Sequence, residues 1–68
     1  MNAELLRKVM RDKGFTVKKM CSELGISRKA FWAKCNGRSE FKQSEIAKTI
    51  DILGTEYGTA IFFPSKVS

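Results

Sequence analysis

Apolar residues recur along the chain at helical spacing, in blocks separated by glycine and polar turns. Leu5, Leu6, Val9 and Met10 fall at i, i+1, i+4 and i+5, one stripe of an amphipathic helix. Asn2 can cap that helix, which is expected to run to about Lys13. Gly14 suits its end, and Phe15 then turns back toward the core. The next two blocks, about Val17 to Leu24 and Arg28 to Cys35, place Met20, Cys21, Leu24, Ile26, Phe31 and Cys35 on one shared face. Thr16 and Ser27 are their candidate N-caps. Gly25 can take a positive φ at the end of the first, and Asn36-Gly37 can close the second.

Phe41 and Ile46 fit a hydrophobic staple around a helix that starts near Lys42, with Glu45 at its third position. That helix is expected to reach about Leu53 and to bury Ile46, Ala47, Ile50 and Leu53. Thr55 can cap a last short helix to about Phe62, with Tyr57, Ile61 and Phe62 as its contacts. Gly58 weakens it. Pro64 stops any continuation, and residues 64–68 read as a flexible tail. No segment alternates with the period of a strand. The expectation is an all-α fold of five helices in a single domain spanning 1–68.

The central stretch, Thr16 to Gly37, reads TVKKMCSELGISRKAFWAKCNG. Two short helices meet across Leu24-Gly25-Ile26-Ser27. This is the pattern of a helix-turn-helix, whose second helix enters the DNA major groove. Its charges break a local rule. A helix N-terminus favours Asp or Glu in its first turn. Here Lys18 and Lys19 open one helix, and Arg28 and Lys29 open the other. The glutamate of a capping box is missing from both, since the third helical positions are Lys19 and Ala30. Each misplaced cation costs roughly 0.3–1 kcal/mol in the free protein. A phosphate backbone across both helix starts would reverse the sign of that cost.

The net charge of +6 on 68 residues is uneven. Residues 1–38 hold ten Lys/Arg against three Asp/Glu, whereas residues 39–68 hold three against four. The excess lies in the half with the helix-turn-helix, as expected of a footprint for a polyanion. The basic helices lack the bulky exposed apolar face that interfacial membrane helices need, and no apolar run approaches the roughly 20 residues of a membrane span. Two cysteines and no signal-peptide pattern point to a reducing cytoplasm. Without histidine, Ser–His and Cys–His catalysis are excluded, and two cysteines alone make no zinc site. Cys21 and Cys35 read as small buried residues between the motif helices. No enzyme activity, cofactor, metal or small-molecule substrate is expected.

Thr16, Leu24, Gly25, Ile26, Ser27, Arg28, Phe31, Asn36 and Gly37 together resemble the motif of the phage repressor/Cro family of helix-turn-helix proteins, also called the XRE family. The segment SRKAFWAKCNGRSEF, Ser27 to Phe41, with Ile61-Phe62-Phe63 near the end, looks most like a short branch from phages and mobile elements of Gram-positive bacteria. The resemblance implies a five-helix lambda-repressor-like domain and sequence-specific duplex DNA binding in transcriptional control, as in a Cro-type repressor. A homodimer on a near-palindromic operator, with half-sites about one helical turn apart, is the further expectation. Two positions depart from the family. Val17 stands where members carry a phosphate-contacting Gln, which shifts that role to Lys18 or Thr16. Lys34 stands where many carry an aliphatic residue, so Cys35 is expected to supply the buried contact and the end of the helix to rotate.

The candidate base-contacting residues are Arg28, Lys29, Trp32 and Ala33. Arg and Lys suit guanine O6 and N7 in the major groove. Trp32 has two readings: an apolar face for thymine methyls, or core packing against the fourth helix. The candidate phosphate-contacting residues are Thr16, Lys18, Lys19, Ser27, Arg38, Lys42 and Gln43. Arg7, Lys8 and Arg11 read as general field. Phe62 is expected in the core, and Phe63 is left between core and partner surface. The alternative function is a protein-interaction module on the same fold, an anti-repressor or adaptor using Trp32, Phe63 and the tail.

Overall fold

The computed structural model describes residues 1–63; the expectations for Pro64 and for the tail 64–68 lie outside the described residues. Five helices follow one another: α1 (Ala3–Asp12), α2 (Val17–Leu24), α3 (Arg28–Cys35), α4 (Gln43–Leu53) and α5 (Thr55–Phe62). No strand occurs among the described residues. The fold is all-α, and every helix begins within two residues of the expected start.

Local chemistry sets the ends. The Asn2 side chain accepts from the Leu5 amide at 3.1 Å, Thr16 Oγ1 from Lys19 at 3.1 Å, and Ser27 Oγ from Ala30 at 3.1 Å. At the end of α2, the Ile26 amide reaches back to the Cys21 carbonyl at 3.0 Å and Gly25 to Ser22 at 3.3 Å. These are the two bonds of a Schellman motif, and they require the left-handed φ of +69° at Gly25. The same pair of bonds ends α1 at Gly14 and α3 at Gly37. Asn36 keeps φ at −89°, so Gly37 alone makes the left-handed turn after α3.

One core joins the five helices. It holds Leu6, Val9 and Met10 of α1, Met20 and Cys21 of α2, Phe31 of α3, Leu53 of α4 and Ile61 of α5. The Asn2 amide donates to the Ile61 carbonyl at 2.7 Å, which ties the start of the first helix to the last. Trp32, Phe31, Phe41 and Phe62 stack edge to face in sequence, with ring centroids 5.4, 6.4 and 5.3 Å apart. Phe62 is half-buried against the core, and Phe63 is exposed.

Three expectations are corrected. The buried face of α4 is Glu45, Thr49 and Leu53; Ile46 and Ile50 are half-buried and Ala47 is exposed. Polar residues can take this face because both are satisfied there. Thr49 Oγ1 donates to the Glu45 carbonyl one turn back at 2.8 Å, and the Glu45 carboxylate has a cationic partner. Tyr57 is exposed, with the Lys13 ammonium 5.4 Å from its ring centroid. Thr55 is the first residue of α5, and Gly54, with φ at +102°, occupies the cap position without a side-chain bond.

Gly58 has a use that its low helix propensity hides. A Cβ there would stand 2.4 Å from Ile50 Cγ1 and 3.0 Å from the Ile50 backbone Cα. Only a residue without Cβ lets α5 lie this close to α4.

Candidate nucleic-acid interface

A helix leaves its first amides without intrahelical acceptors. Thr16 and Ser27 each satisfy one, at Lys19 and Ala30, so the starts of α2 and α3 keep N–H groups for an outside acceptor. Neither helix has an acid in its first turn. By contrast α1, α4 and α5 carry Glu4, Glu45 and Glu56 there. The protein follows the dipole rule at three helix starts and breaks it only at the two of the helix-turn-helix. Lys18, Lys19, Arg28 and Lys29 are all exposed. Lys19 Nζ lies 5.4 Å from the Phe15 ring centroid, which steadies its stem beside the start of α2.

Along α3 the outward residues are Arg28, Lys29 and Trp32, while Ala33 is half-buried. Trp32 is 37% exposed. Its indole rests on Phe31 on one side, and the Arg7 guanidinium of α1 lies 5.8 Å from its centroid. Trp32 thus lies at the margin of the core with part of its ring open to solvent, and Arg7 lies over that ring as well as adding to the field. Lys8 pairs with Asp12 at 2.9 Å on the exposed face of α1. Beyond α3, Arg38, Lys42 and Gln43 are exposed.

Sequence reasoning missed a buried ion pair between α3 and α4. Lys34 Nζ lies 3.2 Å from Glu45 Oε1, with side chains 8% and 9% exposed. The ammonium also donates to the Glu40 carbonyl at 3.1 Å and lies 5.8 Å from the Phe41 ring centroid. Glu45 Oε1 in turn accepts the Lys42 amide at 2.8 Å, one half of a capping box. Lys34 itself thus takes the inward position that Cys35 was expected to fill, and Cys35 is only half-buried beside the core. Glu45 was legible in the sequence as a cap; its partner was not, because Lys34 lies eleven positions away on another helix.

Burial pushes the Glu45 carboxyl up, but the Lys42 amide, the Lys34 hydrogen bond and the charges of Lys34 and Lys42 outweigh it and hold it below its ordinary value. The stability this contributes is fully present above the unfolded carboxylate pKa, roughly 4.3. It is lost as pH falls through the lower folded value. Thermal melts followed by circular dichroism should show the midpoint falling below about pH 4, with a shallower fall in Glu45→Gln. Equal slopes would mean that other carboxylates dominate.

Both cysteines are free. Burial raises the Cys21 thiol, with Arg28 opposing; burial likewise raises Cys35, with Arg7 opposing and Cys21 adding. Both stay protonated at neutral pH, as fits packing residues.

Two short helices crossing at a glycine turn, with basic and exposed starts and a third helix bracing them, define a helix-turn-helix DNA-binding protein. Residues 1–35 match the family of bacterial regulatory proteins of the Fis type, and the chain belongs to that family. The match ends on the last residue of α3, so it covers α1, α2 and α3. No curated protein matches the chain, and no solved structure does. The chain is a DNA-binding transcriptional regulator. Among the described residues, no helix is long and apolar enough to cross a membrane.

Proposed function

We infer that this regulator reads a specific duplex sequence and represses by occupying its operator, in the manner of a Cro-type protein. The observation that carries the reading is the contrast in charge within the first helical turns: α2 and α3 have cations and no acid there, and the other three helices each carry an acid. Solvated surface lysines have no reason to collect at the two starts where they are electrostatically unfavourable.

On this reading α3 lies in the major groove. Arg28, Lys29 and Trp32 face base edges, with Ala33 at the margin. Thr16, Lys18, Lys19 and Ser27 hold phosphates on one side, and Arg38, Lys42 and Gln43 on the other. The lambda-repressor-like arrangement over residues 1–68, including α4 and α5 beyond the Fis-type match, belongs to this reading. So does a homodimer on two half-sites about one helical turn apart. The compartment is the cytoplasm, where the two free thiols stay reduced.

The test is selection from a randomised duplex pool at about 150 mM salt, where purely electrostatic binding is weak. A two-fold-related sequence is the expected product. On it, Arg28→Ala should lose about 1–3 kcal/mol and relax the choice at one base pair. Binding only at low salt, with no enrichment, would remove sequence-specific regulation.

A further inference from the structure

The Lys34–Glu45 pair is buried to an extent unusual for these residue types. Apolar residues of similar volume in place of such a pair are often as stable or more so. Stability is thus a weak reason for its presence, and its directionality is a stronger one. As far as Ser39 the connection it serves is held by the Arg38 and Ser39 amides, which donate to the Ala33 carbonyl at 2.9 and 3.3 Å, and the Phe41 ring packs on Phe31 and Phe62. Past Ser39, among the described residues, no hydrogen bond between main-chain groups involves Glu40 or Phe41. Lys34 Nζ grips the Glu40 carbonyl at 3.1 Å and lies over the Phe41 ring, and Glu45 Oε1 grips the Lys42 amide at 2.8 Å. The last turn of α3, the Glu40 carbonyl and the first turn of α4 are therefore linked through two side chains. An apolar pair could fill the volume but could not hold a carbonyl and an amide in set directions.

We propose that Lys34 and Glu45 are positioning residues for DNA binding, setting the spacing between α3 in the groove and the phosphate contacts of Arg38 and Lys42. The pair touches no DNA itself. It acts by holding the α3–α4 connection at the span between base edges and one backbone strand. This rests on the DNA-binding reading above.

The test compares wild type with Lys34→Met/Glu45→Leu on a fluorescein-labelled duplex selected by the wild-type chain, with titrations at several salt concentrations. The double variant should melt at or above the wild-type midpoint. It should nevertheless bind at least tenfold more weakly, with a log K against log salt slope shallower by about one unit per lost phosphate contact. In an Arg38→Gln/Lys42→Gln background the same change should add no further loss. A purely structural pair would alter the melt and leave the salt slope alone. Wild-type affinity and slope in the double variant would overturn the proposal. If circular dichroism shows that variant unfolded, Glu45→Gln, which keeps the length and an acceptor, replaces it. Its slope should fall too, and an unchanged slope would overturn the proposal. A wild-type chain that selects no duplex would overturn the DNA-binding reading and the proposal together.

Discussion

Lys34→Met is expected to destabilise the protein by roughly 3 kcal/mol, the lower end of the range for breaking a buried ion pair. Removing the ammonium leaves the Glu45 carboxylate, 9% exposed, facing the interior with the Lys42 amide as its remaining partner. That amide keeps the loss from being larger. The Glu40 carbonyl also loses its donor. For a domain of this size each kcal/mol shifts the melting midpoint by about 4–8 °C. The variant should therefore melt about 12–24 °C below wild type in a thermal scan at neutral pH. The contrast with Lys34→Met/Glu45→Leu is informative, because the more conservative single change should be the more damaging one. A single variant melting within a few degrees of wild type would mean that the ammonium reaches solvent, and that the connection is held some other way.

Phe31→Ala should cost more, about 3–5 kcal/mol. Phe31 is 0% exposed and is the only residue of α3 in the fully buried core. Its ring meets Trp32 on one side and Phe41 on the other. A chain this short has a total stability on the order of 3–10 kcal/mol, so the variant is expected to be largely unfolded at room temperature. Urea denaturation monitored by helical circular dichroism checks it: the folded baseline should be short or missing. A midpoint close to wild type would show that the core collapses around the cavity. Because Phe31 anchors α3 to the body, any DNA binding by this variant should fall with its folded fraction and recover when an uncharged osmolyte refolds it.

The two predictions concern neighbouring positions on one helix with different legibility. Phe31 was readable from spacing alone. It completes an apolar face with Met20, Cys21, Leu24 and Ile26, and that face could only be buried. The caps were readable for a similar reason. Asn2, Thr16 and Ser27 each satisfy an amide three residues away, an interaction complete within one turn. The helix-turn-helix with its basic starts, and hence the exposed cations of the candidate interface, followed from the same local information.

The face of α4 was not legible. Hydrophobicity favoured Ile46, Ala47 and Ile50, and burial went instead to Glu45 and Thr49. Their burial is tolerable only because partners complete them: a carbonyl one turn back for Thr49, and an ammonium from another helix for Glu45. Gly58 looked like a weak point in α5 until the approach of Ile50 gave it a reason. Spacing left Trp32 between core and surface and assigned Tyr57 to the packing contacts of α5. Cations lie over both rings, Arg7 over one and Lys13 over the other, and leave them at the surface.

The sequence by itself determined what depends on neighbours within about a turn: five helices, the caps of the first three, their glycine ends, the central motif and its charge. It also determined most of the core, because an apolar stripe has one favourable place to go. Tertiary structure alone decided which polar residues could enter that core, which helices could touch without a side chain between them, and which way the aromatic rings faced. Those outcomes depend on groups brought together from distant positions. A buried charge or a missing Cβ has no preferred setting until its partner is in place.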